Sequence, residues 1–264
     1  MNQVGVIGAG VMGEALIAAL ISYGTSPDSI TISEKRKDRA DELSARYGIK
    51  VEDIATNVSN ADALLLVVKP QDMAAVLDEI KGSINKSAVV ITFAAGKKIS
   101  FIEQGLGTGN PVVRVMPNTP TLVGAGMAAI SLGAGVSAKQ SEFVSGFLAA
   151  TGKVIQVSED LQDAVTATSG SGPAYFFRFV EAMVDGAKAL GLSDADATTL
   201  TIQTIVGAAK LLDESGKSAT TLRENVTSPN GTTAAALTSF ESHQLGDVVA
   251  QAMKAARDRS QELA

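Results

Sequence analysis

The segment that most constrains the fold lies near the start of the chain and reads VGVIGAGVMG. Val4 to Ile7 form a short apolar run, as a buried parallel strand does. The run leads into Gly8, Gly10 and Gly13 in G-x-G-x-x-G spacing, and Met12 to Ile21 follow as a predicted helix. The three glycines would allow a tight turn, a close backbone approach to a pyrophosphate and close packing of helix on strand. Strand, glycines and helix in this order predict a dinucleotide-binding βα unit.

The residues after the second predicted strand bear on the choice of cofactor. That strand, Ile30 to Ser33, ends where the adenine ribose should lie, and Glu34, Lys35 and Arg36 follow it. Glu34 could bind the ribose hydroxyls of NAD, whereas Lys35 and Arg36, with Ser33, could hold the 2′-phosphate of NADP. Two cations accompany the single anion, which favours NADP and leaves NAD open.

Apolar runs and helical stretches continue to alternate through the first half of the chain. Later strands are predicted at Ala63 to Val68, Ala88 to Thr92, Val112 to Met116, Gly126 to Leu132 and Val154 to Val157. Helices are predicted from Met73 to Ile80 and from Ala138 to Thr151. This alternation predicts an α/β domain over residues 1–157, with a doubly wound parallel sheet and ligands beyond the carboxyl ends of its strands.

From Ser158 onward the predicted strands stop, and residues 158–264 form a predicted all-helical domain. Leu161 to Thr168 is a predicted helix, which the segment SGSGPAY, Ser169 to Tyr175, brings to an end. A later helix, Ala195 to Leu212, is apolar on several faces. Such a helix must be covered on all sides, so we expect a second subunit to pack on this domain in a homodimer or a larger homo-oligomer.

Composition and charge exclude several classes of function. A formal net charge of −6 without a dense basic run argues against a nucleic-acid partner. The chain has no cysteine, which fits a reducing cytoplasm, and its single histidine, His243, is predicted to be exposed. No metal site is therefore expected. No apolar run is long enough for a membrane span, and no signal peptide is predicted. We expect a cytoplasmic protein without a membrane partner.

Six short segments follow one another in a distinctive order: GAGVMG from Gly8, VKP from Val68, AAG from Ala94, MPNTP from Met116, SGSGPAY from Ser169 and NVTSPNGTTAAAL from Asn225. Together they resemble the pyrroline-5-carboxylate reductase family over the whole chain. The glycine segment is generic, whereas the last two are specific. The resemblance implies a Rossmann-type N-terminal domain and a C-terminal all-α dimerisation domain. It also implies NAD(P)H-dependent reduction of 1-pyrroline-5-carboxylate to L-proline, the last step of proline biosynthesis.

The resemblance implies a cofactor site drawn from four stretches of the first domain and one residue of the second. Its expected members are Ile7, Gly8, Ala9, Gly10, Val11, Met12, Ser33, Glu34, Lys35, Arg36, Val67, Val68, Lys69, Pro70, Ala94, Ala95, Gly96 and Asn225. The glycine segment would hold the pyrophosphate, the Ser33 stretch the adenosine end, and the Val67 and Ala94 stretches the nicotinamide half. NADPH is the expected cofactor, and NADH is also permitted.

The same resemblance implies a substrate site at the SPNGTT turn. Ser228, Gly231, Thr232 and Thr233 would bind the substrate, with Thr233 as the catalytic hydroxyl beside the ring nitrogen and Lys69 as a second catalytic residue nearby. A turn that opens a helix offers free N–H groups to a carboxylate. Because the cofactor supplies the hydride, no metal or thiol is required.

The SPNGTT stretch taken alone predicts less. It predicts a loop that runs into a helix, with Thr232 or Thr233 as the cap. Asn230 stands where relatives commonly have glycine, and Asn tolerates the left-handed backbone that such a turn needs.

Two alternatives stay open at the level of sequence. A β-hydroxyacid dehydrogenase of the 3-hydroxyisobutyrate type also joins a glycine-rich fingerprint to a helical domain. It relies on a Gly-x-x-x-Lys pattern, whereas Lys210 follows Gly207 by three residues. A non-catalytic dinucleotide sensor would share the fingerprint and would bind the cofactor without turnover.

Overall fold

The computed structural model describes residues 1–263. Within them lie eight strands: β1 (Val4–Ile7), β2 (Ile30–Ser33), β3 (Lys50–Val51), β4 (Ala63–Leu66), β5 (Val89–Thr92), β6 (Val112–Met116), β7 (Gly126–Leu132) and β8 (Gly152–Gln156). All eight belong to one sheet, in the order β3-β2-β1-β4-β5-β6-β7-β8.

The described residues also form twelve α-helices, seven of them before residue 170. These seven are α1 (Val11–Ser22), α2 (Lys37–Tyr47), α3 (Ile54–Asn60), α4 (Met73–Ile80), α5 (Ile99–Leu106), α6 (Ala138–Ala149) and α7 (Gln162–Val165). The other five are α8 (Gly172–Ala189), α9 (Asp194–Glu214), α10 (Ala219–Asn225), α11 (Thr232–Ser242) and α12 (Leu245–Glu262). A π-helical turn at Thr166–Gly170 connects α7 to α8.

The sheet is mixed, so the predicted all-parallel sheet is wrong at one pair. Strands β1 to β6 pair in parallel, as do β7 and β8, but β7 runs antiparallel to β6. Residues 117–125 alone connect β6 to β7. A parallel connection needs about a dozen residues or more, so a link of this length returns the chain antiparallel.

The centre of the sheet is covered on both faces. Every residue of β1, β4 and β5 is buried. In β4, Leu65 packs into one apolar cluster, whereas Leu64 and Leu66 pack into a second cluster. Successive side chains of a strand point to opposite faces, so this division shows that a layer of helices covers each face.

The chain divides into two compact units. The first comprises Met1–Ser171 and the terminal stretch from Ala256, and the second comprises Gly172–Ala255. The whole sheet and nearly all buried apolar side chains belong to the first unit. In the second unit, the buried residues are Gly172, Ala197 and Thr201. The domain division expected at residue 157 stays a prediction.

A buried charge cluster ties the terminal stretch to the first unit. Arg114 of β6 is 1% exposed, and its two terminal nitrogens lie 3.4 Å from Glu159 Oε1 and 3.4 Å from Asp163 Oδ1. Ser260 Oγ donates to the same Asp163 oxygen at 2.8 Å. Glu159 Oε1 also accepts the Ile99 N–H at 2.6 Å, so the cluster fixes the start of α5 as well.

Candidate functional site

In the first loop, Gly8 and Gly13 each meet a steric demand of the protein, whereas Gly10 borders open space. Gly8 has φ +86°, and a Cβ there would lie 2.6 Å from the carbonyl oxygen of Val67. A Cβ on Gly13 would collide with the carbonyl oxygen of Gly8. At Gly10 no atom lies within 4 Å of the Cβ position. The backbone at Gly10 therefore faces open space, as close approach of a pyrophosphate requires.

The N-terminus of α1 is open to an anion. Gly10 is the N-cap in an extended conformation, and no side chain caps the helix. The first N–H groups of a helix have no partner within the helix and carry a partial positive charge. The residues present thus fit a bound pyrophosphate at this position.

A cavity of about 700 Å³ opens where β1, β2 and β4 end. This is the point at which the strand order reverses, where open α/β sheets bind their ligands. The wall includes the expected cofactor residues Ile7, Gly8, Gly10, Val11, Met12, Ser33, Glu34, Lys35, Arg36, Val67, Val68 and Lys69. Ala9 and Pro70 adjoin these residues in the chain but do not line the wall.

At the adenosine end, two of the predicted cofactor residues, Ser33 and Glu34, form hydrogen bonds with other groups of the protein. Ser33 Oγ donates to the Glu52 carbonyl at 3.0 Å and accepts from Asn57 Nδ2 at 2.9 Å. Glu34 accepts the Ala9 N–H at 2.8 Å and the Arg36 N–H at 3.0 Å.

Lys35 and Arg36 differ from these two residues. Both are exposed on the cavity rim, and neither forms an ion pair among residues 1–263. Their side chains are therefore the ones at this end that are available to a 2′-phosphate.

Lys69 lies on the same wall, three residues after the end of β4. The Val67 N–H donates to the Ile7 carbonyl at 2.9 Å, which brings this stretch beside the glycine loop. Lys69 is exposed, and its Nζ has no ion pair in the described part of the chain. Its charge is therefore free to face a ligand in the cavity.

The Ala94–Gly96 loop follows β5 and does not line this cavity. Gly96 has φ +74°, and a Cβ there would lie 2.7 Å from the Ser260 carbonyl oxygen. The loop thus packs tightly on the terminal stretch of the first unit. Its predicted role at the nicotinamide stays a prediction.

In the second unit, the substrate stretch forms a tight turn. The Gly231 N–H donates to the Ser228 carbonyl at 3.0 Å, and Asn230 between them has φ 58°. The left-handed backbone expected at Asn230 is confirmed. A Cβ on Gly231 would collide with Ser228 Oγ, so a larger residue at this position would displace the turn.

The turn opens α11, and the N-cap is Gly231. Thr232 and Thr233 are the first two residues of the helix, so the expectation that one of them is the cap is wrong. No side chain caps α11. The first-turn N–H groups therefore lie open beside the hydroxyls of Thr232 and Thr233, and Thr233 is half-buried. Asn225, also expected at the cofactor, is the exposed last residue of α10.

Sequence analysis missed a charge network behind the glycine loop. Glu14 of α1 pairs with Arg39 and with Arg46, the latter at 2.5 Å, and accepts from Tyr47 Oη at 3.0 Å. Burial by itself would raise the pKa of Glu14. Hydrogen bonds from Arg39, Tyr47 and Arg46 outweigh burial, so the pKa lies below its usual value. No local pattern predicts this network, because Glu14 lies more than twenty residues from each of its partners.

The described residues offer neither a metal-binding cluster nor a membrane-spanning helix. Among residues 1–263 there is no cluster of His, Cys, Asp or Glu that could hold a metal ion. None of the described helices has the length and apolar character that crossing a membrane needs. His243 is exposed, as predicted.

An open α/β sheet, a glycine loop with an uncapped helix and a cavity at the strand-order reversal define a Rossmann-type, dinucleotide-dependent protein. A family model described as "NADP oxidoreductase coenzyme F420-dependent" matches residues 3–96. A second model, described as "Pyrroline-5-carboxylate reductase dimerisation", matches residues 159–263.

Relatives and solved structures agree with these two models. A pyrroline-5-carboxylate reductase of Corynebacterium melassecola is 42% identical, covering 100% of this chain and 99% of its own. One of Pseudomonas aeruginosa is 40% identical, covering 99% and 97%. A structure of the enzyme from Coxiella burnetii matches with a TM-score of 0.91 and 36% identity, covering 100% and 98%. A structure from Plasmodium falciparum with NADP bound matches with a TM-score of 0.90 and 28% identity, covering 99% and 98%.

The chain belongs to the pyrroline-5-carboxylate reductase family and is an oxidoreductase. The predicted fold class is confirmed, with a Rossmann-like domain followed by a helical dimerisation domain.

Proposed function

We propose that this protein reduces 1-pyrroline-5-carboxylate to L-proline with NADPH, as the last step of proline biosynthesis. The observation that carries the proposal is full-length similarity to pyrroline-5-carboxylate reductases, from the glycine loop to the last helix. The hydroxyacid dehydrogenase and sensor alternatives are not favoured by these relatives. Lys210, the lysine that the first alternative would need, pairs instead with Glu214 at 3.8 Å on an exposed helix face.

The first unit would hold the cofactor, which supplies the hydride when it is bound. The open N-terminus of α1 and the bare backbone at Gly10 would receive the pyrophosphate. Lys35 and Arg36, free of ion pairs, would bind the 2′-phosphate that distinguishes NADPH from NADH. Lys69 and the Ala94–Gly96 loop would line the nicotinamide half.

The second unit would hold the substrate. The uncapped N-terminus of α11, opened by the Ser228–Gly231 turn, would receive the carboxylate. The Thr233 hydroxyl would donate a hydrogen bond to the ring nitrogen, and Thr232 would border the ring. Since a protonated cyclic imine is already a good hydride acceptor, the protein mainly has to orient the two reactants. Asn225 would face the cofactor.

The second unit would also form a homodimer through its helices, and a larger homo-oligomer is compatible with this. The support is the run of large apolar side chains left exposed on α8 and α9: Phe176, Phe177, Phe179, Met183, Leu200, Ile202, Val206, Leu211 and Leu212. Large exposed apolar patches are typical of protein interfaces. We further propose a cytoplasmic location, a division at residues 1–157 and 158–264, and no nucleic-acid or membrane partner.

The first test is loss of nicotinamide absorbance when the purified protein is given pyrroline-5-carboxylate, with NADPH and NADH in parallel. We expect turnover with NADPH, formation of proline and a higher kcat/KM for NADPH than for NADH. Cofactor binding without turnover would contradict the reductase and favour the sensor. Oxidation of 3-hydroxyisobutyrate would favour the dehydrogenase.

Thr233→Ala tests the hydroxyl beside the ring nitrogen. We expect kcat/KM for the imine to fall by about tenfold or more, because one hydrogen bond in the transition state is lost. Thr238→Ala is a matched control, since Thr238 lies on the same helix and its hydroxyl bonds to the Ala234 carbonyl at 3.0 Å. Equal activities for the two variants would remove Thr233 from the mechanism.

A further inference from the structure

The peptide groups on either side of Ala9 are held by one short segment that follows β2. The Ala9 N–H donates to Glu34 Oε2 at 2.8 Å. The Ala9 carbonyl accepts from Arg39 Nε at 3.1 Å. Ala9 lies between Gly8 and Gly10, in the part of the loop that must stay close to a pyrophosphate. The middle of the loop is therefore fastened through both of its polar backbone groups.

Both fastening side chains are themselves fixed. The second oxygen of Glu34 accepts the Arg36 N–H at 3.0 Å. The Arg39 side chain is 12% exposed and pairs with Glu14 on α1 and with Glu42 on its own helix. Neither group can swing towards a ligand without breaking bonds to the protein.

We propose that Glu34 and Arg39 are positioning residues, the Ala9 clamp, which hold the glycine loop in its cofactor-binding shape. The inference rests on the proposed function, because it assigns a role within the same dinucleotide site. It adds Arg39 to that site and changes the expected role of Glu34. Glu34 secures the loop and does not bind the ribose hydroxyls.

The Ala9 clamp should control the affinity for both cofactors without changing the preference for NADPH over NADH. Loosening the loop affects the pyrophosphate, which NADPH and NADH share. The 2′-phosphate belongs to NADPH alone, and the side chains available to it are Lys35 and Arg36. Clamp variants should therefore weaken both cofactors equally, whereas Arg36→Ala should weaken NADPH selectively.

Arg46 provides a matched control for Arg39. It also pairs with Glu14, at 2.5 Å, and with Glu42, at 2.8 Å, but it makes no bond to Ala9. Arg39→Ala and Arg46→Ala thus each remove a guanidinium from the same ion-pair network. Loss of affinity in the first variant alone would come from the bond to Ala9.

The experiment measures Kd for NADPH and for NADH by calorimetry on the full-length protein, together with Tm. For Arg39→Ala and Glu34→Gln we expect both Kd values to rise about tenfold, as loss of a charge-assisted hydrogen bond to the loop implies. The ratio of the two Kd values should stay within threefold of the wild type. Arg46→Ala should change neither Kd by more than twofold. For Arg39→Ala, KM for the cofactor should rise while kcat at saturating cofactor stays within threefold.

The clamp would be overturned if both Kd values rose less than threefold for Arg39→Ala, or if they rose equally for Arg46→Ala. It would also be overturned if Glu34→Gln selectively lost affinity for NADH or selectively gained affinity for NADPH, since either would place this carboxylate at the ribose. If the wild type bound the cofactors but did not reduce the imine, the proposed function would be wrong. The Kd values of the clamp variants and of Arg46→Ala would still test the clamp. A wild type that binds neither cofactor would defeat both.

Discussion

The two units of the chain treat their apolar residues in opposite ways. In the first unit, the central strands β1, β4 and β5 are wholly buried, and two apolar clusters fill the faces of the sheet. In the second unit, large side chains such as Phe176 and Val206 are 63% and 53% exposed. The first unit therefore completes its own core within one chain. The second leaves large apolar side chains exposed, which the proposed dimer would cover.

The helix N-termini show a second contrast. Ser137 caps α6 with a full capping box, and Ser193 and Ser218 cap α9 and α10. Gly10 and Gly231 open α1 and α11 without any side-chain cap. A serine at either glycine would satisfy N–H groups that a phosphate or a carboxylate would otherwise receive. The glycines give up local helix stability at the two positions proposed to bind anions.

The sharpest test of the first contrast is Arg114→Met. Removing the guanidinium would leave the carboxylates of Glu159 and Asp163 without their buried partner. We therefore expect the free energy of unfolding to fall by about 3–5 kcal/mol. Arg178→Met in the second unit is the control, because both members of its pair with Glu181 are more than 60% exposed. Urea unfolding at one protein concentration measures both. Equal losses would show that burial does not distinguish the two ion pairs.

The exposed face of the second unit is tested by Val206→Glu. A charge placed in an apolar interface should raise the dimer dissociation constant by about 100-fold or more. Gln203→Glu adds the same charge to the same helix at a polar position and should have a smaller effect. Light scattering across a dilution series would show the shift. A Val206→Glu protein that dissociates no more readily than the wild type would mean that the partner does not cover this part of α9.

The smallest expected effect is on the free energy of unfolding when Glu14, a partly buried charge of the first unit, is compared with Glu181, an exposed charge of the second. Because the pKa of Glu14 is lowered in the folded state, its contribution is present above the usual value of 4.5 and is lost as the pH falls through the folded pKa. Glu14→Gln should therefore cost about 1–2 kcal/mol at neutral pH, and the difference from the wild type should shrink in acid. Glu181→Gln should cost little at either pH. If Glu14→Gln remained less stable than the wild type in acid, the lost stability would have to come from something other than the charge.

The apolar strands could be predicted because their burial does not depend on distant partners. β1, β2, β6 and β7 have the predicted bounds, and β5 matches within one residue. Helices α2, α3 and α5 were not predicted. In α2, Ala40 and Leu43 alone are buried, so its sequence lacks the apolar periodicity from which the other helices were predicted. The antiparallel β7 could have been found from the short connection before it.

By itself, the sequence determined the order of strands and helices, the glycine loop and the family. Each of these depends on residues that are neighbours in the chain, where spacing controls turns, helix faces and strand burial. Tertiary structure alone decided that Glu34 and Arg39 meet at Ala9, and that Ser260 meets Asp163 beside Arg114. These contacts join residues that are 25 to 97 positions apart. No local pattern encodes them, because they form only when the packed sheet and helices bring distant polar groups together.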